Sequence, residues 1–228
     1  LRCLVGTEMC IRDSHTYDSD KQLYYHAWSA NPEDANSFWA NKAEPHKGCS
    51  KEFWGRGMGW YFAALVDVLE VMPQSHPDYQ ELKTIVNTVA KGLARWQDKE
   101  SGAWYQLLQY DDSFVSKCGI ANYLESSASS MFTYAYLKGI RLGILPESYK
   151  ETAEKAYQGL LKTFVTTNED GTINLNQSCR SAGLGPAKDP SRDGTPDYYL
   201  CGKDVTIVNN EGKAIGPFIM ACLEYEQR

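Results

Sequence analysis

Two tryptophans and an arginine stand close together in the segment 52–60, which reads EFWGRGMGW. Trp54 and Trp60 flank Arg56 at spacings of two and four residues. A guanidinium is a planar set of donors that matches a carboxylate, and an indole has an apolar face on which a pyranose ring can stack. The segment therefore predicts a site that binds a sugar acid. The alternative is a structural helix start in which Arg56 pairs with an internal Asp or Glu.

A histidine among aromatic residues is the second candidate, His26 in the segment 24–28 (YYHAW). A neutral imidazole can hydrogen-bond a sugar hydroxyl or a water molecule. A lone histidine is more often structural, but His26 ends a strand-like turn and precedes a polar loop, where functional residues concentrate. We therefore include His26 in the predicted binding site, with the structural role left open.

A carboxylate opens the third segment, at Glu125 in 122–129 (NYLESSAS). At a helix start, the macrodipole stabilises a carboxylate, whereas at a cleft the same group would face a ligand. Small residues that permit close helix packing follow Glu125. This pattern favours the structural role.

Helices must position these candidates, and hydrophobic spacing predicts two kinds. The segments 57–69, 127–137 and 217–225 are apolar over most of their circumference, which predicts helices buried on most sides. The segments 77–96 and 147–165 each carry one apolar stripe, which predicts helices with one side in water.

These elements repeat along the chain as a buried helix, an amphipathic helix, a short extended turn and a loop. Extended turns are predicted at 18–26, 101–106 and 170–175. Helix pairs that cannot bury their own faces stack on copies of themselves. The order predicts an all-α fold, an α/α toroid whose loops before the buried helices meet at one mouth. The visible repeats do not close a ring, so we expect an incomplete toroid of roughly the last three to four helical hairpins.

Composition excludes several classes of function. The net charge of −6 argues against a nucleic-acid partner, which needs a basic surface. No run of about 18 apolar residues occurs, so no membrane span is expected. The chain has 4 His and no HExxH pattern, and its 7 Cys form no CxxC pair. We therefore expect no metal site and mostly reduced cysteines.

The first fourteen residues (LRCLVGTEMCIRDS) have no initiating Met, no signal-peptide pattern and no continuation into a helix. We interpret 1–14 as a non-native leader and 15–228 as the C-terminal part of a single domain. The alternative is a genuine N-terminal tail. The cellular compartment is left open.

Four blocks of the chain resemble glycoside hydrolase families 88 and 105. They read HAW, FWGRGMGWYFAALVDVLE, NYLESSASSMFTYAYLKGIRLG and GKAIGPFIMACLEYE. The resemblance extends from about His15 to the C-terminus, and the WGRGxGW block is more similar to family 105.

The resemblance implies an (α/α)6 barrel that acts on oligosaccharides left by polysaccharide lyases. Such substrates carry a Δ4,5-unsaturated uronate, and the reaction is hydration of its vinyl ether without a metal or organic cofactor. By position, His26 matches the family's active-site histidine. Trp54, Arg56 and Trp60 match the residues that line the uronate pocket.

The family's catalytic Asp lies in a block of the type D-x-x-Y/M-M-x-x-P-F, upstream of the HAW block. No such block occurs here, and Asp18 and Asp20 fall in a predicted turn instead. We therefore predict no catalytic acid within this chain. Two other functions remain open, a non-catalytic α/α-toroid protein that binds acidic sugars and a helical scaffold that binds protein through its loops.

Overall fold

The computed structural model describes residues 15–227, so the prediction of a leader at 1–14 lies outside the described residues. The described chain is mainly helical, with two short 3-10 helices at Ala35–Ser37 and Glu147–Tyr149. Its α-helices are α1 (Gly55–Val71), α2 (Tyr79–Arg95), α3 (Ser126–Arg141), α4 (Lys150–Phe164), α5 (Pro196–Cys201) and α6 (Gly212–Glu226).

The five long helices of the described chain form two layers. The helix α3 packs between α1 and α6, and these three form an inner row. In the second layer, α2 packs against α1 and α4 packs against α3. The helices α2 and α4 each bury one stripe and expose the other side to water. The predicted alternation of buried and half-exposed helices is confirmed for α1 to α4.

The helix α3 is buried along nearly its whole length, from Ser126 to Gly139. Serine and alanine in its first turns are small enough for α1 to approach closely. One of its buried hydroxyls bonds within the helix itself, since Thr133 Oγ1 donates to the Ser129 carbonyl at 2.7 Å. The burial predicted for 127–137 is confirmed.

The helix α6 differs from its prediction in both start and burial. It begins at Gly212, where Glu211 caps it by accepting from Lys213 N, so Pro217 lies inside the helix and not at its start. Ile219, Met220 and Leu223 are 51%, 37% and 53% exposed. The prediction that 217–225 is buried on most sides is wrong for the described residues, because α3 and α4 cover only one side of α6.

Short strands are present as well, which corrects the all-α prediction to a mainly helical fold. Within residues 15–227 they form three antiparallel pairs, of two or three residues per strand. The pairs are β1 (Tyr17–Asp18) with β2 (Leu23–Tyr24), β3 (Val165–Thr167) with β4 (Ile173–Leu175), and β5 (Ser178–Cys179) with β6 (Ile207–Val208). The first two pairs coincide with predicted turns, whereas the pairing of β5 with β6 was not predicted.

Trp104 holds the two layers together next to the start of α3. It is fully buried, and its Nε1 donates to the Leu93 carbonyl of α2 at 2.8 Å. Its ring meets Phe132 of α3 edge-on, with centroids 5.2 Å apart. Burial of a side chain of this size stabilises the fold by roughly 2–3 kcal/mol. The Trp104 carbonyl also accepts from Glu125 N at 2.8 Å, which fixes the first residue before α3.

Two cysteines form a disulfide that the sequence did not predict. Cys118 and Cys201 are joined across a separation of 83 residues, whereas Cys49, Cys179 and Cys222 are reduced as expected. The bond connects the loop before α3 to the end of α5. Among residues 15–227, none of the helices has the length and apolar composition that a membrane crossing requires.

Candidate functional site

The first residues of α1 and α3 lie side by side, so the candidates from separate segments meet at one end of the helices. Backbone contacts hold the loops there. Gly55 N donates to the Gln106 carbonyl at 2.9 Å. Isolated bridges pair Trp54 with Leu107 and Tyr105 with Leu124. The predicted meeting of loops before the inner helices is confirmed for α1 and α3.

Glycines at the start of α1 serve close packing against protein. A Cβ added at Gly57 would lie 2.7 Å from His26 Cβ, and one added at Gly59 would lie 2.7 Å from Met131 Sδ. Glycine at these positions lets α1 approach the His26 segment and α3 closely, and the contact with His26 Cβ leaves no room for a larger residue at position 57. In the described residues, the glycines of the GRGMG segment allow His26 to pack directly against the first turn of α1.

Arg56 is directed into the protein and is 1% exposed. Its Nε donates to Ser127 Oγ at 2.7 Å, and its Nη2 lies 3.5 Å from Glu125 Oε1. Nη2 also donates to the Cys179 carbonyl. The internal pairing that was left open for Arg56 is thus present. Direct binding of a uronate by Arg56 stays a prediction.

Glu125 caps α3 and is fully buried. Its carboxylate accepts from the backbone nitrogens of Ser127 at 3.1 Å and Ala128 at 2.7 Å. It also accepts from Cys179 N in β5 at 2.9 Å. A buried carboxylate needs such partners, and here they come from α1, α3 and β5 together. The helix-start role favoured for Glu125 is confirmed.

Three aromatic rings form a compact cluster, which we call the aromatic box and define as His26, Trp54 and Tyr199. The Trp54 and Tyr199 rings are stacked, with centroids 5.8 Å apart and 26° between their planes. His26 stands edge-on to both, at 77° to Trp54 and 83° to Tyr199. The structure therefore brings two of the predicted site residues, His26 and Trp54, into contact.

One donor in the aromatic box has no acceptor in the part of the chain that the structure describes. Trp54 is 8% exposed, and its Nε1 is buried without a hydrogen-bond partner among residues 15–227. A buried N–H without a partner costs free energy, so an acceptor from a ligand would stabilise it. Trp60 lies further along α1 and outside the box, with 51% of its surface exposed.

A carboxyl two residues before Trp54 is also part of this end of the molecule. Glu52 is 7% exposed, and burial raises the pKa of its carboxyl to about 7. Gln109 donates to Glu52 Oε2, and Tyr110 also hydrogen-bonds the carboxyl. The sequence placed Glu52 in the segment but did not single it out, because its burial depends on residues more than fifty positions away.

Tyr199 is the residue of the box that sequence reasoning missed. It lies on α5, which Pro196 and the capping Thr195 begin. These start signals predict a helix but give no reason to connect Tyr199 with His26.

The described residues contain no group of three or more His, Cys, Asp or Glu that could hold a metal ion. A cavity of about 570 Å³ lies at the other end of α3 from Glu125, and Leu137, Ile140, Lys150 and Gln227 contribute to its lining. It contains none of the predicted site residues.

Comparison with known proteins gives similarity over nearly the whole chain. The family model described as Glycosyl Hydrolase Family 88 matches residues 5–228. Protein Atu3128 from Agrobacterium fabrum is 36% identical over 207 residues, which are 89% of this chain and 81% of that protein. Unsaturated rhamnogalacturonyl hydrolase YesR from Bacillus subtilis is 31% identical over 137 residues, which are 59% of this chain and 34% of that protein.

A solved structure is similar as well. The glycoside hydrolase from family 105 of C. acetobutylicum ATCC 824 superposes with a TM-score of 0.87 at 43% identity. The match covers 98% of this chain, and the chain spans 57% of the length of that protein.

Proposed function

This chain belongs to the glycosyl hydrolases of the family 88 and family 105 type, and on that premise we propose that it forms part of an enzyme for Δ4,5-unsaturated uronyl oligosaccharides. The names of two similar proteins, an unsaturated rhamnogalacturonyl hydrolase and an unsaturated 3S-rhamnoglycuronyl hydrolase, support this substrate class. The single observation that carries the proposal is the aromatic box with the unpartnered Trp54 N–H. A sugar offers an apolar face that can pack against the aromatic rings and an oxygen that can accept from the Trp54 N–H.

The proposed binding residues have different tasks. His26 and Trp54 contact the sugar at the aromatic box, and the exposed ring of Trp60 offers a second stacking surface beside it. Arg56 supplies positive charge beneath the uronate. Because Arg56 is 1% exposed, a carboxylate would contact it directly only by displacing an internal partner.

The proposed reaction is hydration of the C4–C5 vinyl ether. A general acid protonates C4, and water activated by the resulting base adds to C5. The hemiketal then opens and releases the next sugar, so one water is consumed for each glycosidic bond that is cleaved. The acid is proposed to be an Asp outside these 228 residues, since the family's D-x-x-Y/M-M-x-x-P-F block does not occur in the chain.

The proposed architecture of the whole enzyme is an (α/α)6 toroid, of which α1 to α6 form an incomplete part. The row of α1, α3 and α6 corresponds to the inner ring, and α2 and α4 correspond to the outer ring. The apolar face of α6, formed by Ile219, Met220 and Leu223, supports this proposal because exposed apolar stripes mark surfaces that are normally covered.

Calorimetric titration tests the substrate class. The protein is extended upstream to include the family's Asp block, which is inactivated by an Asp→Asn replacement to prevent turnover. An unsaturated rhamnogalacturonan disaccharide is compared with the saturated disaccharide of the same linkage. Preference for the unsaturated sugar is expected. Equal affinity for both sugars would support the binding of acidic sugars without catalysis, and no affinity for either would refute the proposal.

A further inference from the structure

The hydroxyl of Tyr199 lies 2.9 Å from Nε2 of His26. The Tyr199 side chain is fully buried, so its hydroxyl finds its partner within the protein. Burial raises the pKa of Tyr199 well above its ordinary value, which keeps the phenol protonated and able to donate. The contact joins a loop residue near the start of the chain to a short helix 173 residues later.

Three independent contacts fix Tyr199 in place. Thr195 Oγ1 caps α5 by accepting from Tyr198 N. Gln106 Nε2 donates to the Tyr199 carbonyl at 3.2 Å. Two residues further on, Cys201 is tied to Cys118 by the disulfide. These contacts fix the position from which the phenol hydroxyl contacts His26.

The other ring nitrogen of His26 also faces a hydroxyl. Nδ1 lies 3.2 Å from Ser50 Oγ, and Ser50 is fully buried. Hydroxyls can donate or accept, so distances alone leave two tautomers of a neutral imidazole. A phenol is a stronger acid than an aliphatic alcohol, and the closer of the two contacts is the one to Tyr199. The shorter contact and the greater acidity of a phenol favour Tyr199 as the donor, which puts the imidazole hydrogen on Nδ1, directed at Ser50.

We propose that Tyr199 is a positioning residue that holds His26 as the neutral Nδ1–H tautomer, with Nε2 occupied as an acceptor. Tyr199 itself does not contact the sugar. The catalytic meaning rests on the function proposed above. With Nε2 occupied, His26 is an uncharged ring held in a fixed orientation in the aromatic box, and it does not donate the proton in the reaction. The proton transfer is then left to a carboxyl group.

Nuclear magnetic resonance on the full 228-residue chain tests this assignment. The chain has only 4 His, so long-range ¹H–¹⁵N correlation spectra of protein with ¹⁵N-labelled histidine resolve each ring, and His26→Gln identifies the signal. In the unsubstituted chain, Nδ1 is expected to be protonated and Nε2 to have the shift of an acceptor. Tyr199→Phe keeps the stacking ring but removes the donor, and the hydrogen is expected to move largely to Nε2.

Two further variants separate positioning from general damage. Tyr198→Phe removes a neighbouring hydroxyl that serves Gly183 N and Arg192, and it should leave the His26 signal unchanged. Ser50→Ala removes the hydroxyl beside Nδ1 and should leave Nδ1–H in place, because Tyr199 still donates to Nε2. The thermal stability of each variant is measured alongside its spectrum, so that a change in the His26 signal can be separated from a loss of folded protein.

Three results would overturn the proposal. They are an Nε2–H or doubly protonated His26 in the unsubstituted chain, an unchanged His26 signal in Tyr199→Phe, and a tautomer change in Ser50→Ala alone. None of these readings requires turnover. Failure of the sugar assay would therefore count against the proposed function and leave the tautomer assignment standing.

Discussion

Arg56 Nη2 lies 3.5 Å from Glu125 Oε1, and this buried pair joins the first turn of α1 to the residue that caps α3. Trp54, which precedes α1 by one residue, stacks on Tyr199 in the aromatic box and is joined to this pair through the first turn of α1. The pair therefore acts on the site through the backbone. Loss of the pair should therefore lower the stability of the fold more than it alters the contacts with a bound ligand.

Replacement of Arg56 by Ala is expected to lower the free energy of unfolding by about 3–5 kcal/mol, because it leaves a buried carboxylate without its cation. Urea denaturation measures this loss. Lys91→Ala removes an exposed cation on α2 and should stay within about 0.5 kcal/mol of the parent. If Arg56→Ala retains full stability and only weakens sugar binding, the direct carboxylate role is the correct one.

Gly57→Ala is expected to destabilise the chain by about 1–3 kcal/mol, because the new Cβ would meet His26 Cβ at 2.7 Å and the His26 segment must shift. Gly212→Ala, at the first residue of α6, is the matched control. Its Cβ would meet nothing within 4 Å, so better helix propensity should stabilise it by about 0.4–1 kcal/mol. Thermal melts compare the two. Equal effects would contradict the packing role assigned to Gly57.

Trp54→Phe removes the unpartnered indole N–H and keeps an aromatic ring. In the upstream-extended protein it should weaken binding of the unsaturated disaccharide by about 1 kcal/mol, roughly fivefold in Kd, which is the value of one hydrogen bond. Trp96→Phe is the control, since Trp96 Nε1 already donates to the Lys21 carbonyl at 2.7 Å. Unchanged affinity in Trp54→Phe would mean that the sugar does not accept from this nitrogen.

Glu52 predicts a specific pH dependence. Burial raises the pKa of its carboxyl from 4.5 to about 7, so between these values the folded state binds more protons than the unfolded state. The stability of the parent chain should therefore decrease as the pH rises through this window. Glu52→Gln has no titrating carboxyl and lacks this loss. The free energy of unfolding of the variant relative to the parent should therefore increase by up to about 3 kcal/mol toward neutral pH. A constant difference across the window would contradict the assignment.

Hydrophobic periodicity predicted α2, α3 and α4 well. Each of these helices is buried by other helices of the same repeating unit in this chain. The stripe on 77–96 and the small residues of 127–137 were sufficient for those elements. The segment 217–225 was predicted wrongly, since no local signal tells which side of α6 the described residues cover. The start of α6 was misplaced because Pro217 normally marks the first turn of a helix.

The candidate residues of the site were predicted within short segments, but the side-chain contacts between segments were not. Trp54 and Arg56 were found from one short segment, but the partner of Arg56 was left open, because Glu125 lies in another segment. Tyr199 and the Cys118–Cys201 disulfide depend on contacts across 173 and 83 residues. Side-chain spacing carries no information about such contacts, and the loop between β5 and β6 has no repeat that would reveal them.

Turnover of an unsaturated rhamnogalacturonan disaccharide tests the central claim most directly, because hydration removes the ultraviolet absorbance of the conjugated double bond. The 228-residue chain and the upstream-extended protein are measured side by side. We predict activity in the extended protein, its loss when the Asp of the upstream block is replaced by Asn, and none in the 228-residue chain. Turnover by the 228-residue chain would place the acid within it, and silence of both proteins would contradict the assigned substrate class.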